Sequence, residues 1–193
     1  RPGQAPVQCR FRDELRPDAA ATIAQLKDAG IAVELLSGDR TPVVEDIARA
    51  VGIGTWRAHC RPADKTARLA ELAAQGHKVL MVGDGLNDAP ALAQADIGMA
   101  MASGTDIAGE AASVTLMRND LASVEQAIVL ARKTMQTMKQ NLFWAFVYNV
   151  IGIPVAAFGL LTPMLAGAAM ALSSVSVVLN ALLLRRWKPE NLA

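Results

Sequence analysis

The first two-thirds of the chain alternates short apolar runs with segments in which apolar residues recur at helical spacing. Five apolar runs predict strands: 31–36, 56–60, 78–82, 97–101 and 114–117. Three periodic segments predict helices: 42–51, 63–74 and 89–95. Continuously apolar strands that alternate with helices are typical of a parallel, doubly wound sheet. The pattern therefore predicts an α/β domain over residues 1–120, in which ligands bind beyond the carboxyl ends of the strands.

The last third of the chain has a different pattern, because no Asp, Glu, Lys or Arg occurs from Leu142 to Leu184. Two apolar stretches, at 142–161 and 164–184, are each long enough as helices to cross a hydrocarbon core of roughly 30 Å. The organisation predicted after the first domain is a connecting helix, a two-helix transmembrane hairpin and a short tail: 121–140, 141–186 and 187–193. The alternative is a buried helical hairpin within a large soluble protein.

Basic residues flank the two apolar stretches. Lys133 and Lys139 precede the first stretch, and Arg185, Arg186 and Lys188 follow the second. By the positive-inside rule, both ends of the hairpin are then cytoplasmic and the turn between them lies on the other side. We therefore expect an integral membrane protein in contact with lipid, with its first domain and its C-terminus in the cytoplasm.

Composition excludes one class of partner and gives a first indication of the compartment. The net charge is +1 and aromatic residues make up 4% of the chain, which argues against a nucleic-acid-binding protein. Cys9 and Cys60 do not form a CxxC pair, and we expect both to be free, buried thiols in a reducing compartment. The chain opens on Arg1-Pro2-Gly3 without a signal-peptide pattern, which is typical of the interior of a longer polypeptide.

The octapeptide at 83–90 (GDGLNDAP) is the segment richest in candidate chemistry. A predicted strand delivers Asp84 to a loop tip, and the glycines on either side allow the backbone to approach a ligand closely. A second carboxylate, Asp88, follows at the start of a predicted helix. Clustered carboxylates at a strand end suit Mg²⁺, which binds protein and phosphate oxygens together. The alternative is an ordinary turn with an Asp cap.

Two further positions carry weaker signals. Ser37-Gly38-Asp39 places a hydroxyl and free N–H groups at the end of another predicted strand. Lys65 falls in the first turn of a predicted helix, where a cation opposes the helix dipole. Taken alone, Ser37 is better explained as a turn or cap residue, and Lys65 as a surface lysine.

The order of these motifs resembles that of the P-type ATPases, which belong to the haloacid-dehalogenase-like superfamily. The matching segments are Asp13-Glu14-Leu15-Arg16-Pro17, Ser37-Gly38-Asp39, Pro62-Ala63-Asp64-Lys65, the octapeptide at 83–90 and the stretch 98–112. The resemblance covers nearly the whole chain from about residue 9. It implies part of a Rossmann-like phosphorylation domain, followed by a transmembrane hairpin.

The resemblance also implies a magnesium–phosphate site that serves ATP. Its members would be Ser37, Gly38, Lys65, Asp84, Asn87 and Asp88. Asp84 would ligate Mg²⁺, and Lys65 would neutralise charge that develops on the phosphoryl group. The serine hydroxyl and the glycine backbone would bind phosphoryl oxygens, and the remaining two residues would order the site. Positioning and electrostatics of this kind carry most of the catalysis in phosphoryl transfer.

The sequence departs from the family pattern in several respects. The phosphorylated aspartate of the family lies in a DKTGT motif, and that motif does not occur in this chain. We therefore expect this chain alone to be inactive towards ATP, and we expect its main partner to be a missing N-terminal part of the same pump. The usual TGD motif is SGD here, which keeps the hydroxyl, and Arg40 follows it where a polar neutral residue is usual.

Polar and sulfur-containing side chains within the two apolar stretches indicate a site for a transported ion. Tyr148 and Asn149 lie in the first stretch, and spacings of three and four place Met170, Ser173 and Ser174 on one face of the second. Polar groups at membrane depth are costly, and they usually face a pathway or a partner helix. A thioether in a dry site suits Cu(I). The alternative is helix packing, in which Met and Ser are also common.

The pattern of these five residues resembles that of the last two helices of the Cu(I)-transporting subgroup. In that subgroup, the corresponding Tyr, Asn, Met and Ser residues join a Cys-Pro-Cys motif on an earlier helix. We therefore expect the C-terminal portion of an ATP-driven Cu(I) export pump, with a copper chaperone as a further partner and the bacterial inner membrane as its location. The same pump class with Ag(I), Cu(II) or Zn(II) as cargo is one alternative. A non-catalytic, truncated metal-binding or regulatory membrane protein is another, and a membrane-anchored, magnesium-dependent phosphatase is a third.

Overall fold

The computed structural model describes residues 15–104, 106–160 and 162–185. Some positions named above lie outside these ranges: Cys9, Asp13, Glu14, Leu161, Arg186, Lys188 and the predicted tail at 187–193. The chain divides into two compact units between Glu125 and Gln126. Each unit is described separately below.

Strands and short helices alternate through the first unit. In chain order they are α1 (Ala19–Asp28), β1 (Glu34–Leu36), α2 (Thr41–Val51), β2 (Thr55–Arg57), α3 (Pro62–Ala74), β3 (Leu80–Gly83), a 3₁₀ turn (Leu86–Asp88), α4 (Ala89–Gln94), β4 (Ile97–Ala100), α5 (Asp106–Ala111) and β5 (Val114–Thr115). All five predicted strands and all three predicted helices are present. The helices α1 and α5 were not predicted.

The strands are parallel, as predicted, but those described form two sheets rather than one. In the first sheet, β1 pairs with β2, so that Leu35 lies opposite Trp56. In the second, the order is β3-β4-β5, and Val82 lies opposite Met99. β1 and β3 each pair on one side only, and no described strand joins their free edges. The carboxyl ends of β1 and β3 nevertheless deliver the candidate phosphate-site residues other than Lys65, which lies on α3.

Local backbone chemistry fixes where the helices that carry the site begin and end. Gly52 adopts the left-handed conformation (φ 75°) that terminates α2. α3 begins with Pro62, whose missing N–H costs nothing at this position, and the Arg61 backbone N–H donates to the Asp64 carboxylate at 2.8 Å. Gly76 (φ 82°) follows the end of α3. These signals explain why the predicted helix limits agree with the observed ones to within one residue.

The core behind the candidate site is small and tightly packed. Leu92, Ala100 and Ala108 are fully buried together. A Cβ added at Gly98 would lie 2.3 Å from the carbonyl oxygen of Leu92, so only glycine lets α4 pack this closely on β4. This packing holds α4, and therefore the turn that precedes it, firmly against the sheet.

The second unit contains two long helices. The helix α6 (Ala122–Ala157) starts in the first unit and continues into the second, and α7 (Pro163–Arg185) follows. Both are long and apolar enough to cross a membrane, and none of either apolar window is buried within the protein. The predicted connecting helix and first span are therefore one continuous helix. It ends at Ala157 rather than 161, and Gly159 (φ 71°) adopts the left-handed conformation that terminates helices.

Candidate functional site

The end of β3 and the turn after it hold three of the predicted site residues. Asp84 follows the last residue of β3, and its side chain is 57% exposed. The 3₁₀ turn then brings Asp88 back beneath the strand end. A Cβ added at Gly83 would lie 2.7 Å from the Cβ of Asp88, so a glycine is required for this approach. Asn87 lies exposed in the same turn.

A partly buried ion pair joins this turn to α3. The Lys65 Nζ atom lies 2.6 Å from the Asp88 Oδ1 atom, and the two side chains are only 12% and 13% exposed. Lys65 lies in the first turn of α3, where the helix dipole disfavours a cation, and the carboxylate of Asp88 offsets that cost. Two residues that lie 23 positions apart thus meet in one charged contact at the carboxyl edge of the sheet.

The loop after β1 is held against the start of α3. The Ser37 hydroxyl donates to the Asp39 carboxylate at 2.7 Å, and the backbone N–H of Asp39 lies 3.2 Å from the serine oxygen. The Cys60 backbone N–H donates to the Ser37 carbonyl at 2.9 Å, which ties this loop to the residue just before the N-cap of α3. A Cβ at Gly38 would contact the Cys60 carbonyl at 3.4 Å. The Ser37–Gly38 loop therefore lies beside the helix that carries Lys65.

Cys60 is a free thiol, as predicted for it, but it is only half-buried. It lies in the loop between β2 and α3, where its sulfur is 3.6 Å from the Arg57 carbonyl oxygen. The expectation of full burial was wrong because this loop faces the carboxyl edge of the sheet and not the core.

An arginine that sequence reasoning assigned no role reaches the same edge. Arg16 donates from Nη1 to the backbone oxygen and the side-chain oxygen of Asn119, at 2.7 and 2.8 Å. Another of its nitrogens lies 3.9 Å from the Asp84 carboxylate. Ser103 also donates to the Asn119 side chain, at 2.7 Å. Arg16 stands in one of the quoted motifs, but its contact with a residue 103 positions away has no local signal.

A capping carboxylate holds the first turn of α6. Hydrogen bonds from the Ser123 hydroxyl and backbone N–H lower the pKa of Asp120 from its ordinary value, and the charges of Arg118 and Arg16 act in the same direction. The backbone N–H of Ala122 donates to the Asp18 carboxylate at 2.9 Å. Two carboxylates therefore satisfy two of the free N–H groups at the start of α6.

The residues at the end of β3 fit Mg²⁺ in number and type. Asp88 is committed to Lys65, which leaves Asp84 as an exposed carboxylate. Within the described ranges, no group of three or more His, Cys, Asp or Glu side chains is arranged to hold a metal ion. Mg²⁺ is usually bound through one or two carboxylates together with phosphate oxygens and water, and does not require such a cage.

The five candidate residues in the second unit differ in their exposure. Tyr148 and Ser173 are half-buried, whereas Asn149, Met170 and Ser174 are exposed, Met170 to 73%. The Asn149 carboxamide donates to the Ala145 carbonyl of its own helix at 2.8 Å. Two of the five thus face inwards, and three lie on exposed surface of the helices.

The first unit has a haloacid-dehalogenase-like fold, and the family model of haloacid dehalogenase-like hydrolases matches residues 5–96. The catalytic domain of the CPx-ATPase CopB-B is similar in structure to part of the chain, with a TM-score of 0.54 and 37% identity. That match covers 56% of this chain and 44% of the other.

The similarity to one class of membrane pump extends over both units. Copper-exporting P-type ATPases of Staphylococcus aureus strains RF122 / ET3-1 and JH9 are each 52% identical over 178 residues, which cover 92% of this chain. A zinc-transporting PIB-type ATPase in the E2.Pi state superposes with a TM-score of 0.83 at 38% identity, over 90% of this chain and 28% of that one. The chain is homologous to the C-terminal region of the copper-exporting P-type ATPases. It spans 22% of the length of those curated relatives.

Proposed function

We propose that this chain is the C-terminal portion of an ATP-driven Cu(I) export pump. The observation that carries the proposal is the Lys65–Asp88 pair at 2.6 Å, set beside the exposed carboxylate of Asp84 in a chain that also has two membrane-length helices. A paired lysine and an exposed carboxylate at the end of a parallel strand suit phosphoryl transfer, in which positioned charges stabilise the transition state.

In the proposed mechanism each side chain has a distinct task. Asp84 holds Mg²⁺, which when bound neutralises charge on phosphate oxygens. Lys65, kept in place by Asp88, offers its ammonium group to the phosphoryl oxygens. The Ser37 hydroxyl and the Gly38 N–H bind the same oxygens, and Asn87 orders the loop. The acceptor aspartate and the nucleotide-binding region belong to other parts of the polypeptide, and the long helix α6 connects this site with the membrane.

The transported ion is proposed to be Cu(I). Tyr148, Asn149, Met170, Ser173 and Ser174 supply a thioether and neutral oxygen ligands, and no carboxylate occurs from 142 to 184. An uncharged pathway with a sulfur ligand suits a soft monovalent ion better than a hard dication. The zinc-transporting neighbour keeps Zn(II) as a second candidate cargo. The three exposed ligands are proposed to face earlier helices of the pump.

The proposal includes domain limits and sidedness. Residues 1–120 form part of the phosphorylation domain, 121–140 connect it to the membrane, and the two spans lie within 141–186. The first domain and the C-terminus lie in the cytoplasm, where ATP is available and a copper chaperone delivers the ion. Lys133 and Lys139, which precede the first apolar stretch, and Arg185 at the end of α7 support this orientation.

The proposal is tested by Asp84→Asn in the complete protein. The amide is isosteric but neutral, so we expect phosphorylation from ATP to fall by about 100-fold or more, the loss typical of removing one preorganised charge. Asp46→Asn is the matched control, because that carboxylate is 80% exposed on α2 and, among the described residues, pairs with Arg49 of its own helix. Unchanged phosphorylation of the Asp84 variant would refute the assignment.

A further inference from the structure

Three carboxamide side chains meet where α6 and α7 approach each other within the second unit. The side-chain N–H of Asn180 donates to the carboxamide oxygen of Asn141 at 2.7 Å, and it lies 3.5 Å from that of Gln140. Both asparagines are half-buried. Their positions lie symmetrically about the turn between the helices, so the contact belongs to an antiparallel pair.

The half-buried residues of each helix form a continuous stripe. On α6, from Thr134 onwards, they are Thr134, Thr137, Asn141, Ala145, Val147, Tyr148, Gly152 and Val155. On α7 they are Ala166, Ala169, Ser173, Ser176, Val177, Asn180 and Leu184. Apart from Val147 and Val177, which adjoin other members, the spacings are three or four residues, which is the pattern of one helix face packed along its length.

The asparagine contact and the two stripes define a single register. In an antiparallel pair, each step forward along α6 matches a step backward along α7. Seven residues rise about 10.5 Å and turn the helix almost back to the same face. From the contact between Asn141 and Asn180, this step leads to Tyr148 opposite Ser173. A further four residues bring Gly152 opposite a position, Ala169, that is also half-buried.

We infer that the hydrogen bond between Asn141 and Asn180 is a positioning contact that sets the register of α6 against α7 and thereby aligns the five residues of the proposed ion site. In this register, Ser173, Ser174 and Met170 lie level with positions 148, 147 and 151 of α6. Together with Tyr148 and Asn149, they occupy a layer about 6 Å deep, roughly one helical turn. The role of the five aligned residues as an ion site rests on the proposed function, whereas the register of the two helices does not.

The side chains along the stripes explain why such a contact is needed. Beyond the asparagines, the facing positions are mostly small or β-branched, as at Ala145, Gly152, Val155, Ala166 and Ala169. Because neighbouring positions along these stripes are similar in size, a slip of one turn exchanges one small residue for another. A slip would separate the two carboxamides and leave polar groups without partners in an apolar environment, which is costly. A single polar pair at a helix interface is known to specify register in this way.

The register is tested first by cross-linking, which does not depend on transport. In the complete protein, Gly152→Cys with Ala169→Cys is expected to react with a short bis-maleimide more efficiently than Val155→Cys with Ala169→Cys, which samples a slipped register. The matching single-cysteine variants identify links to native thiols. Adding Asn180→Ala is expected to reduce the preference for the first pair. Equal efficiency of the two pairs, or a preference that Asn180→Ala leaves unchanged, would overturn the inference.

The consequence for the ion site is tested by copper dependence. Asn141→Ala, Asn180→Ala and the double variant are each expected to raise the Cu(I) concentration that gives half-maximal ATPase activity by about 3- to 20-fold, the range spanned by interhelical hydrogen bonds. The maximal ATPase rate is expected to change little. Asn180→Gln is expected to restore part of the Cu(I) affinity that Asn180→Ala loses. Leu179→Ala, on the exposed surface of α7, is the control. Additive effects in the double variant would contradict a shared contact. Loss of copper stimulation in the unmodified protein would instead refute the proposed function and leave the cross-linking result interpretable.

Discussion

Replacing Lys65 by methionine is expected to destabilise the turn at the end of β3. The change removes the partner of a carboxylate that is only 13% exposed and lies 2.6 Å from the lysine nitrogen. Breaking a buried ion pair on one side costs about 3–5 kcal/mol, and the residual exposure places this pair near the lower end of that range. The pair between Lys78 and Asp96 has a similar 2.7 Å distance, but its lysine is 87% exposed and screened by water, so Lys78→Met should destabilise the protein much less than Lys65→Met.

Amide hydrogen exchange in the complete protein measures both losses of stability, because a destabilised segment opens locally more often. A loss of about 3 kcal/mol corresponds to exchange roughly 100-fold faster at the amides of the turn and of α4 in the Lys65 variant. The Lys78 variant should accelerate exchange near its own site by less than about fivefold. Adding Asp88→Asn to Lys65→Met removes the unpaired charge and should recover most of the protection. The reasoning is refuted if the two lysine variants behave alike, or if the double variant exchanges as fast as Lys65→Met.

Three other changes have defined outcomes. Gly83→Ala places a Cβ 2.7 Å from that of Asp88, and is expected to cost about 1–3 kcal/mol in local opening and to abolish phosphorylation. Gly54→Ala should retain phosphorylation, because nothing lies within 4 Å of a Cβ added there. Because the pKa of Asp120 is lowered in the folded protein, its stabilisation of α6 should be complete above about pH 5 and be lost as the pH falls through the folded pKa. Asp120→Asn should therefore make amide exchange around Ser123 less sensitive to acid. Met170→Ala should weaken Cu(I) binding at the membrane site, measured by competition with a chelator, and unchanged affinity would leave Met170 as a packing residue.

The parts of the fold that local chemistry determines could be predicted from the sequence. Gly52 and Gly76 mark the ends of α2 and α3, and the apolar runs locate all five strands. The strands are shorter than the runs, because apolar character extends past the paired residues. The run 31–36, for example, begins three residues before the strand Glu34–Leu36. The division into two sheets could not be predicted, because pairing between strands has no local signal.

In the candidate site too, local features could be predicted from the sequence and contacts between distant residues could not. Lys65, Asp84 and Asp88 could be proposed from their places at the start of a helix and the end of a strand. Their pairing could not, because the contact between Lys65 and Asp88 depends on how α3 packs beside the turn. The contacts of Arg16 with Asn119, and of Asn141 with Asn180, were missed for the same reason: each joins residues that are distant in sequence and depends on tertiary register.

The central claim is tested most directly by the metal dependence of phosphorylation in the complete protein. Purified protein would be incubated with labelled ATP, Mg²⁺ and either Cu(I), Ag(I) or Zn(II), and the acid-stable phosphoenzyme measured. The account predicts stimulation by Cu(I), and by the chemically similar Ag(I), but not by Zn(II), with the signal lost in Asp84→Asn. Stimulation by Zn(II) without Cu(I) would contradict the proposed cargo, and the absence of any metal-dependent phosphoenzyme would contradict the pump itself.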